Sequence, residues 1–264
     1  MREKVGIVIP ARNEASCLPM TLAQLRGRLV VVIDDGSNDG TANIARRHQA
    51  SVIISLPDRG YSGLNKPELA QVINEGLKAL ELHDPEHVCI LGADHVLPAD
   101  YLDKVLGRMA ADPDVAVASG RIEGERWTWD FPFGSGRIID AGFFRQVGFR
   151  FPESFGWEDW LVYKAKAMCR KTLVYPDIVS RTSRPMKYAK KGEIMYALNY
   201  HWLYALGRCL TIMTHSPKDG LGMLKGFLFH KGVGKILDRE VCHYVHAEQK
   251  RKIKRMLLPW SKYL

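Results

Sequence analysis

The chain has 264 residues, of which 46% are hydrophobic and 25% are charged. This length suits one large domain or a domain with a smaller appendage, and the composition excludes a disordered, collagen-like or repetitive chain. The net charge of +9 is unevenly placed: residues 1–180 carry 21 Lys and Arg against 24 Asp and Glu, whereas residues 181–264 carry 17 against 5. The basic last third therefore predicts an anionic partner.

The first half of the chain alternates short apolar runs with stretches of helical periodicity. The predicted strands are residues 5–9, 29–33, 52–56 and 88–91, and the predicted helices are residues 17–25, 41–48, 67–82 and 98–111. This alternation is typical of an α/β fold, with a mostly parallel sheet flanked by helices. Ligands of such sheets bind beyond the carboxyl ends of the strands.

The periodicity changes after residue 116. Residues 120–136 are predicted to form a long loop or hairpin, 138–147 a short helix, 159–170 a helix and 173–175 a short strand. From residue 190 onward the pattern is helical. We therefore predict an α/β domain over residues 1–180 and a basic, mainly helical region over residues 181–264.

The N-terminus and the cysteines favour a cytoplasmic protein. Residues 5–9 are too short for the apolar core of a signal peptide and read as a buried strand. The five cysteines are odd in number and lack metal-binding spacing, which favours reduced, mostly buried thiols in a reducing compartment.

Polar clusters follow the first two predicted strands. Residues 10–14 read Pro-Ala-Arg-Asn-Glu and can wrap a ligand with backbone groups and charges. Asp34 and Asp35 end the second strand, where a carboxylate can accept hydrogen bonds from a base or ribose. Each cluster also has a structural interpretation, as a polar turn or as a helix cap by Ser37 or Asp39.

Two further clusters carry groups suited to metal binding and proton transfer. Asp94 and His95, after the fourth strand, offer oxygen and nitrogen ligands to a divalent metal, or form a structural pair. Glu158 and Asp159 stand between two tryptophans just before a helix. Indoles can cover the apolar faces of a sugar, and the helix N-terminus favours an ionised Asp159, as a general base requires. The structural interpretation is that these carboxylates only stabilise the start of the helix.

The order of these four clusters resembles family-two glycosyltransferases, which are inverting enzymes with the GT-A fold. The resemblance covers about residues 5–175. Its motifs are Ile-Pro-Ala-Arg-Asn-Glu (9–14), Val-Ile-Asp-Asp-Gly-Ser-Asn-Asp-Gly-Thr (32–41), Ala-Asp (93–94) ahead of Pro-Ala-Asp-Tyr-Leu (98–102), and Gly-Trp-Glu-Asp (156–159). It implies transfer of a sugar from a nucleotide-diphosphate sugar to an acceptor hydroxyl, assisted by a divalent metal, Mn²⁺ or Mg²⁺.

The resemblance also implies roles for individual residues. The residues expected to bind the nucleotide sugar are Pro10, Arg12, Glu14, Asp34, Asp35, Lys66 and Ala93. Lys66 is the basic residue nearest to the family's Asn-x-Gly helix segment, here Asn74-Glu75-Gly76. Asp94 would hold the metal, with His95 as a second candidate ligand. Asp159 would be the general base with Glu158 supporting it. Apart from the resemblance, we expect Trp157 and Trp160 to shape the acceptor site and the segment Gly134-Ser135-Gly136 to let backbone approach it.

One position departs from the family. Its acidic triplet usually reads Asp-Ala-Asp, and here it reads Gly92-Ala93-Asp94, so the first carboxylate is absent. The last carboxylate, normally the metal ligand, remains.

The basic last third contains an apolar stretch and a basic run. Residues 194–213 would be about 30 Å long as one helix, enough to span a bilayer, but Asn199, His201 and Arg208 disfavour a span. A helix buried against the α/β domain or lying in the membrane interface is favoured instead. The basic run 250–255 and the apolar residues 256–260 fit an interfacial helix attracted to anionic lipid, although a solvated helix with a basic tail also fits.

These features predict the partners of the chain. We expect a nucleotide-diphosphate sugar donor, a sugar or lipid-linked acceptor, and an anionic membrane surface that would hold the protein at the inner face. Nucleic acid is not expected, because the aromatic residues are not interleaved with the basic ones as a stacking platform requires.

Two alternative functions agree less well with the residues. A sugar-phosphate nucleotidyltransferase would need a glycine-rich phosphate loop after the first strand, and residues 10–14 contain no glycine. A non-catalytic membrane or nucleic-acid binding module would leave the carboxylates at the strand ends unexplained.

Overall fold

The computed structural model describes residues 5–183, 190–230 and 232–257, with side chains up to residue 255. Packing divides the chain into two compact units. Unit 1 comprises Met1–Leu64, Glu68–Phe151 and Cys169–Met186, and unit 2 comprises Asn65–Pro67, Pro152–Met168 and Lys187–Leu264. Unit 2 thus joins the helical C-terminal part of the chain to a segment that precedes residue 180.

Unit 1 is built on an eight-stranded sheet. The strands are β1 (Val5–Ala11), β2 (Leu29–Asp35), β3 (Val52–Leu56), β4 (His87–Ile90), β5 (His95–Val96), β6 (Val115–Ile122), β7 (Arg137–Asp140) and β8 (Lys171–Thr182). Their order is β3-β2-β1-β4-β7-β6-β8-β5. Strands β1 to β4 pair in parallel, so their carboxyl ends meet at one edge. The predicted α/β fold with a mostly parallel sheet flanked by helices is confirmed.

The helices of unit 1 cover this sheet. They are α1 (Leu18–Ala23), α2 (Thr41–Arg47), α3 (Pro67–Glu81), α4 (Tyr101–Ala111) and α5 (Ala141–Gln146). Helix α3 buries Ile73, Leu77 and Leu80 on one side. It approaches the sheet so closely that a Cβ atom on Gly76 would overlap Ile33. This close packing explains why glycine stands in the middle of a helix.

The second half of the sheet differs from the prediction. Residues 138–147, predicted as a helix, form β7 followed by α5, and Asp140 separates them because its side chain accepts a hydrogen bond from Phe143 N at 2.7 Å. Strand β6 lies partly within the predicted loop. Strand β8 has 12 residues rather than three, because it continues past an irregularity in its pairing with β6.

The C-terminal helices belong to unit 2. They are α6 (Trp157–Ala167), α7 (Lys191–Ala197), α8 (Trp202–His215), α9 (Pro217–Leu228) and α10 (Arg239–Leu257). The apolar stretch 194–213 is not one helix. It is divided between α7 and α8, and the turn that connects them contains Asn199, which has a φ of +54°. Of the apolar residues 256–260, the side chains of Met256 and Leu257 and all of residues 258–260 lie outside the described part.

Within the described residues, no helix is both long and apolar enough to cross a membrane. All five cysteines are described and none forms a disulfide. Cys89 and Cys209 are buried, whereas Cys169 is exposed.

Candidate functional site

The loops that follow β1 and β2 interlock at the carboxyl edge of the sheet. Backbone N–H groups of the first loop donate to side chains of the second: Asn13 N to Ser37 Oγ at 2.9 Å, Glu14 N to Thr41 Oγ1 at 2.9 Å, and Ala15 N to Asp39 Oδ2 at 3.0 Å. Pro10 is still part of β1, opposite Ile33, and Glu14 is buried. The two polar motifs thus form one structure whose hydroxyl and carboxylate groups fix the path of the first loop.

Arg12 ties this structure to the end of β3. Its guanidinium donates to the backbone oxygen of Asp35 and, at 2.5 Å, to Asp58 Oδ1. Asp58 also accepts from Gly60 N at 2.8 Å, and these hydrogen bonds hold the pKa of the Asp58 carboxyl below its usual value. Three neighbouring strand ends are therefore joined through Arg12.

Asp35 is a buried carboxylate of this edge that pairs with an arginine. Arg59 Nη2 donates to its Oδ1 at 2.5 Å, and the side chain of Asp35 is 7% exposed. Burial raises the pKa of Asp35, and the charge of Arg59 only partly opposes that effect. The neighbouring Asp34 accepts a hydrogen bond from Ser37 N at 3.1 Å and closes the turn. The two carboxylates thus differ, since Asp34 shapes the loop and Asp35 forms an ion pair with Arg59.

Sequence reasoning missed Asp58 and Arg59. The signal that could have found them is the Pro-Asp-Arg-Gly segment at 57–60, which follows the third predicted strand as the other polar clusters follow theirs. A Cβ atom on Gly36, which has a φ of +69°, would overlap the Asp58 backbone. The glycine of the Asp-Asp-Gly-Ser motif therefore makes room for this segment.

A second group of residues surrounds the turn after β4. Ser135 Oγ accepts a hydrogen bond from Gly92 N at 2.8 Å and lies 2.6 Å from His95 Nδ1. Ala93 is fixed through its carbonyl, which accepts from Thr21 Oγ1 at 2.8 Å. Gly134 directly precedes Ser135, so the structure brings this predicted acceptor residue next to the predicted metal-binding turn. Sequence reasoning placed Ser135 only within the glycine-flanked segment expected near the acceptor, and it gave the Ser135 side chain no role.

His95 is a buried, neutral imidazole. Its side chain is 1% exposed, and burial lowers its pKa to about 4, against the opposing charge of Asp94. One ring nitrogen faces Ser135, and the other, Nε2, has no hydrogen-bond partner within the described residues. This environment resembles a packed structural histidine more than an exposed metal ligand.

Asp94 lies beside the end of β8. Its Oδ2 accepts hydrogen bonds from Thr182 Oγ1 at 3.1 Å and from Ser183 Oγ at 3.2 Å, neither of which sequence reasoning found. Among the described residues, no group of three or more His, Cys, Asp or Glu side chains could hold a metal ion. At Gly92, where the family has a carboxylate, a Cβ atom would lie 3.2 Å from Asp94 Oδ1. Asp94 is therefore the carboxylate that this turn offers to a cation.

Glu158 and Asp159 occupy the first turn of α6, in unit 2. Gly156 precedes the helix with a φ of +81°, and a Cβ atom there would press against Leu198. The N-terminal end of the helix favours negative charge at both carboxylates. Lys66, also assigned to unit 2, is partly buried just ahead of α3.

Trp157 and Trp160 are each only 7% exposed. The indole N–H of Trp160 donates to Asp238 Oδ2 at 3.1 Å. Lys164, one turn further along α6, bonds Glu240 Oε2 at 2.6 Å. These contacts fasten α6 to the start of α10, and they leave little of either indole for stacking on a sugar.

Asp159 has electrostatic partners inside unit 2. Tyr163 and Tyr200 join their hydroxyls at 2.8 Å, and burial together with the negative charge of Asp159 raises the pKa of Tyr163. Burial lowers the pKa of Arg208, but the neighbouring tyrosines and Asp159 outweigh this and raise it. Arg208 thus provides a partly buried positive charge near Asp159. The sequence had indicated Arg208 only as an obstacle to a membrane span.

Solved structures with this fold include two nucleotide-sugar complexes. The mannosyltransferase PcManGT from Pyrobaculum calidifontis, in complex with GDP-Man and Mn²⁺, has a TM-score of 0.57 and 18% identity, covering 88% of this chain and 71% of that one. S. aureus TarS 1-349 in complex with UDP-GlcNAc has a TM-score of 0.56 and 16% identity, covering 85% and 71%. At these identities the likeness shows the fold.

The relatives found by sequence similarity match a smaller part of this chain. An uncharacterized glycosyltransferase of Mycobacterium tuberculosis is 29% identical over 129 residues, or 48% of this chain and 54% of the relative. An uncharacterized protein of Methanocaldococcus jannaschii is 29% identical over 122 residues, or 45% and 47%. The chain spans about half the length of the curated relatives it matches.

The model of the family described as Glycosyl transferase family 2 matches residues 6–168. That range contains all four polar clusters described above, from the loop after β1 to the first turn of α6. The chain therefore belongs to glycosyl transferase family 2.

Proposed function

We propose that the chain transfers a sugar from a nucleotide-diphosphate sugar to an acceptor hydroxyl, with inversion at the anomeric carbon. The observation that carries the proposal is the joined edge of strands β1 to β3, where the partly buried guanidinium groups of Arg12 and Arg59 both bond the buried Asp35. Parallel sheets bind their ligands at this edge. The similar structures in complex with GDP-Man and with UDP-GlcNAc support a nucleotide-sugar donor.

The donor nucleotide would lie along this edge, lined by Pro10, Glu14 and Ala93. Asp35 would accept hydrogen bonds from the base, with Arg59 holding its carboxylate in place. Asp34 would act indirectly, by closing the turn that carries Asp35. Lys66 would neutralise part of the diphosphate charge.

A divalent cation would be held at the turn after β4 by Asp94. Mg²⁺ is commonly held by one or two carboxylates together with substrate phosphates, and this turn offers one carboxylate. Bound there, Mn²⁺ or Mg²⁺ would neutralise charge on the leaving diphosphate. His95 would support the turn through Ser135 rather than bind the cation, because its ring is buried.

Asp159 would act as the general base. It would take the proton from the acceptor hydroxyl while that oxygen forms its bond to the anomeric carbon and the bond to the diphosphate breaks. The N-terminus of α6 and the charge of Arg208 favour the ionised form that this step needs. Glu158 would support it. Because Trp157 and Trp160 are buried, we propose that they hold α6 in position, leaving Gly134 as the candidate for close approach of an acceptor.

Two variants test these assignments separately. We expect Asp159→Asn to lose on the order of 10²–10⁴ in transfer rate while its dissociation constant for UDP or GDP stays unchanged. We expect Asp35→Asn to weaken nucleotide binding itself. Asp103→Asn, which alters an exposed ion pair of unit 1, is the matched control. Near-normal turnover of Asp159→Asn would reduce that residue to a stabiliser of the helix start.

The substrates can be identified by a donor screen. UDP- and GDP-sugars are incubated with the protein and Mn²⁺ or Mg²⁺, and the anomer of the released or transferred sugar is read by NMR. Full activity in excess EDTA would remove the metal from the mechanism. Release of pyrophosphate from a nucleoside triphosphate and a sugar phosphate would instead indicate a nucleotidyltransferase.

The basic last third would bring the enzyme to an anionic membrane surface at the cytoplasmic face, where a lipid-linked acceptor would be found. Lys250, Arg251, Lys254 and Arg255 lie exposed along α10. Each basic residue near an anionic surface contributes about 1 kcal/mol, an attraction that fades as salt screens it. Sedimentation with vesicles that contain or lack anionic lipid, at low and high salt, tests this. Equal recovery in the supernatant under every condition would contradict it.

A further inference from the structure

The exposed face of α8 carries no formally charged side chain along its whole described length. Trp202, Leu206 and Leu210 follow one another at four-residue intervals and so lie along one side of the helix, with Leu203 beside them. Trp202 is 61% exposed and Leu210 is 52% exposed. The remaining exposed residues of α8 are Gly207, Thr211, Thr214 and His215. A helix face turned toward water is normally polar, so this face is suited to a different environment.

Helix α9 also exposes large apolar side chains, and it exposes lysines beside them. Its exposed residues include Leu221, Leu228 and, just past its end, Phe229, which is 70% exposed. Lys218 and Lys225 are exposed on the same helix. Asp219, the only acidic residue of α9, accepts a hydrogen bond from Ser216 Oγ at 2.7 Å. The exposed surface of α9 is therefore apolar and basic.

The two helices are firmly packed on their other sides. A Cβ atom on Gly220 of α9 would overlap Met213 of α8, and one on Gly192 of α7 would overlap the backbone of α9 at Met223. Ala205 and Cys209 of α8 are fully buried. The exposed leucines and aromatic residues thus stand on the outer faces of a closely packed helix pair, and are not core residues left uncovered by loose packing.

We propose that the exposed faces of α8 and α9, formed by Trp202, Leu203, Leu206, Leu210, Leu221, Leu228 and Phe229, dock into the interface of a lipid bilayer that contains anionic lipid. The inference rests on the proposed membrane attraction of the basic last third and names the surface that enters the membrane. Leucine, tryptophan and phenylalanine on one face with lysines nearby are typical of interfacial helices. Tryptophan also prefers the boundary between hydrocarbon and water.

Charge favours a membrane over a second copy of the chain as the occupant. Unit 2 contains 18 Lys and Arg against 8 Asp and Glu, a net charge of +10. Two such units brought together would repel each other, whereas anionic headgroups compensate the charge. The lysines of α9 stand beside the leucines, where headgroups would lie when the apolar side chains enter the interface.

The test uses two uncharged double variants of the full chain. Leu206→Ser/Leu210→Ser changes the docking face, and Leu82→Ser/Leu237→Ser removes two leucines that are 86% and 90% exposed outside α8 and α9. Because net charge is the same in all three proteins, electrostatic attraction is unchanged. Circular dichroism and UDP or GDP binding establish that each variant is folded. Partition is measured by sedimentation with phosphatidylcholine vesicles, with and without phosphatidylserine, at low and high salt.

We expect the α8 variant to bind mixed vesicles at least about tenfold more weakly than the unchanged chain, because two leucines no longer leave water. The control variant is expected to bind as the unchanged chain does. Residual binding of the α8 variant should also be more sensitive to salt, since only the electrostatic part remains.

Three other results would overturn the inference in different ways. Equal vesicle binding by all three proteins would mean that electrostatic attraction alone holds the chain at the membrane and that the exposed faces of α8 and α9 do not dock there. Failure of the unchanged chain to bind vesicles would contradict both the electrostatic attraction and the docking of α8 and α9. A change of mass in sedimentation velocity without vesicles, confined to the α8 variant, would assign the face to a second copy of the chain.

Discussion

Ser135 shows how one hydroxyl can fix a functional turn. It bonds both Gly92 N and His95 Nδ1, so it spans the residues on either side of Asp94. We expect Ser135→Ala to lower the free energy of unfolding by roughly 1–3 kcal/mol, because the Gly92 N–H loses its partner in a partly buried place.

The same variant should affect phosphate recognition more than base recognition. We expect weaker binding of UDP or GDP with Mn²⁺ but unchanged binding of the nucleoside without phosphates, both measured by calorimetry. Ser51→Ala is the matched control, because it also removes a hydroxyl that accepts from a backbone N–H, that of Val30 at 3.0 Å, but at the amino ends of β2 and β3. An equal loss for nucleoside and nucleotide would mean that Ser135 supports the whole edge and has no special link to Asp94.

His95 predicts a pH dependence of stability. Its pKa is about 4 in the folded chain and 6.5 in the unfolded one. Between these values the unfolded chain binds a proton that the folded chain does not, so stability is complete above the unfolded pKa and falls as the pH drops toward the folded one. From about pH 7.5 to about pH 5 this group should cost about 2 kcal/mol.

The measurement compares the unchanged chain with His95→Asn, which can still bond Ser135. Urea unfolding at both pH values, in EDTA, gives the difference directly. The variant should lose less stability on acidification. If both proteins lose the same amount, His95 is protonated in the folded state or exposed to water.

At the scale of elements, α3 and α4 offer a matched pair of glycines. A Cβ atom on Gly76 would overlap Ile33 and Val8, whereas one on Gly107 of α4 would meet nothing within 4 Å. We expect Gly76→Ala to destabilise the chain by roughly 1–3 kcal/mol through overpacking. Gly107→Ala should stabilise it by about 0.5–1 kcal/mol, because alanine is the better helix former. Thermal or urea unfolding would measure both, and equal effects would mean that α3 does not pack tightly on the sheet.

The elements also show what sequence patterns could predict. Strands β1 to β4 were found because continuous apolar runs alternate with helical periodicity. Strand β7 was taken for a helix because only Asp140 separates Ile138 and Ile139 from the apolar residues at the start of α5. Strand β8 was predicted too short because Pro176 and Asp177 interrupt its apolar pattern where the pairing with β6 is irregular.

Candidate site residues were recognised when they follow a predicted strand or begin a predicted helix. Asp58 and Arg59 were missed although they follow β3, since their partners Arg12 and Asp35 become neighbours only through the parallel pairing of the strands. The roles of Ser135 and Thr182 were missed for a similar reason, as their link to the Asp94 turn depends on long-range contacts. Single-sequence patterns contain no such information.

At the scale of the whole molecule, two ligands should protect different segments from hydrogen exchange. We expect UDP or GDP with Mn²⁺ to slow exchange in peptides that cover residues 10–16, 34–41 and 57–60. Vesicles containing phosphatidylserine should instead slow exchange in α8 and α9, because ligand contact suppresses local opening.

Hydrogen-exchange mass spectrometry of the full chain measures both effects in one experiment, with phosphatidylcholine vesicles as the control. Protection of α8 and α9 by the nucleotide alone would contradict the division of roles. Uniform protection by either ligand would indicate global stabilisation rather than a local site.

Helix α6 is supported by residues that lie outside the range of the family match. The family match ends at residue 168, just past this helix, but the side chains that hold α6 lie further along the chain, at Tyr200, Asp238 and Glu240. The segment with Glu158 and Asp159 thus lies within the family match, while the side chains that support it lie beyond its end. Relatives that share α6 but not the later helices must support the same carboxylates by other means. Substitutions at Tyr200, Asp238 or Glu240 can therefore change the surroundings of Asp159, the proposed base, without altering the strand ends proposed to bind the donor.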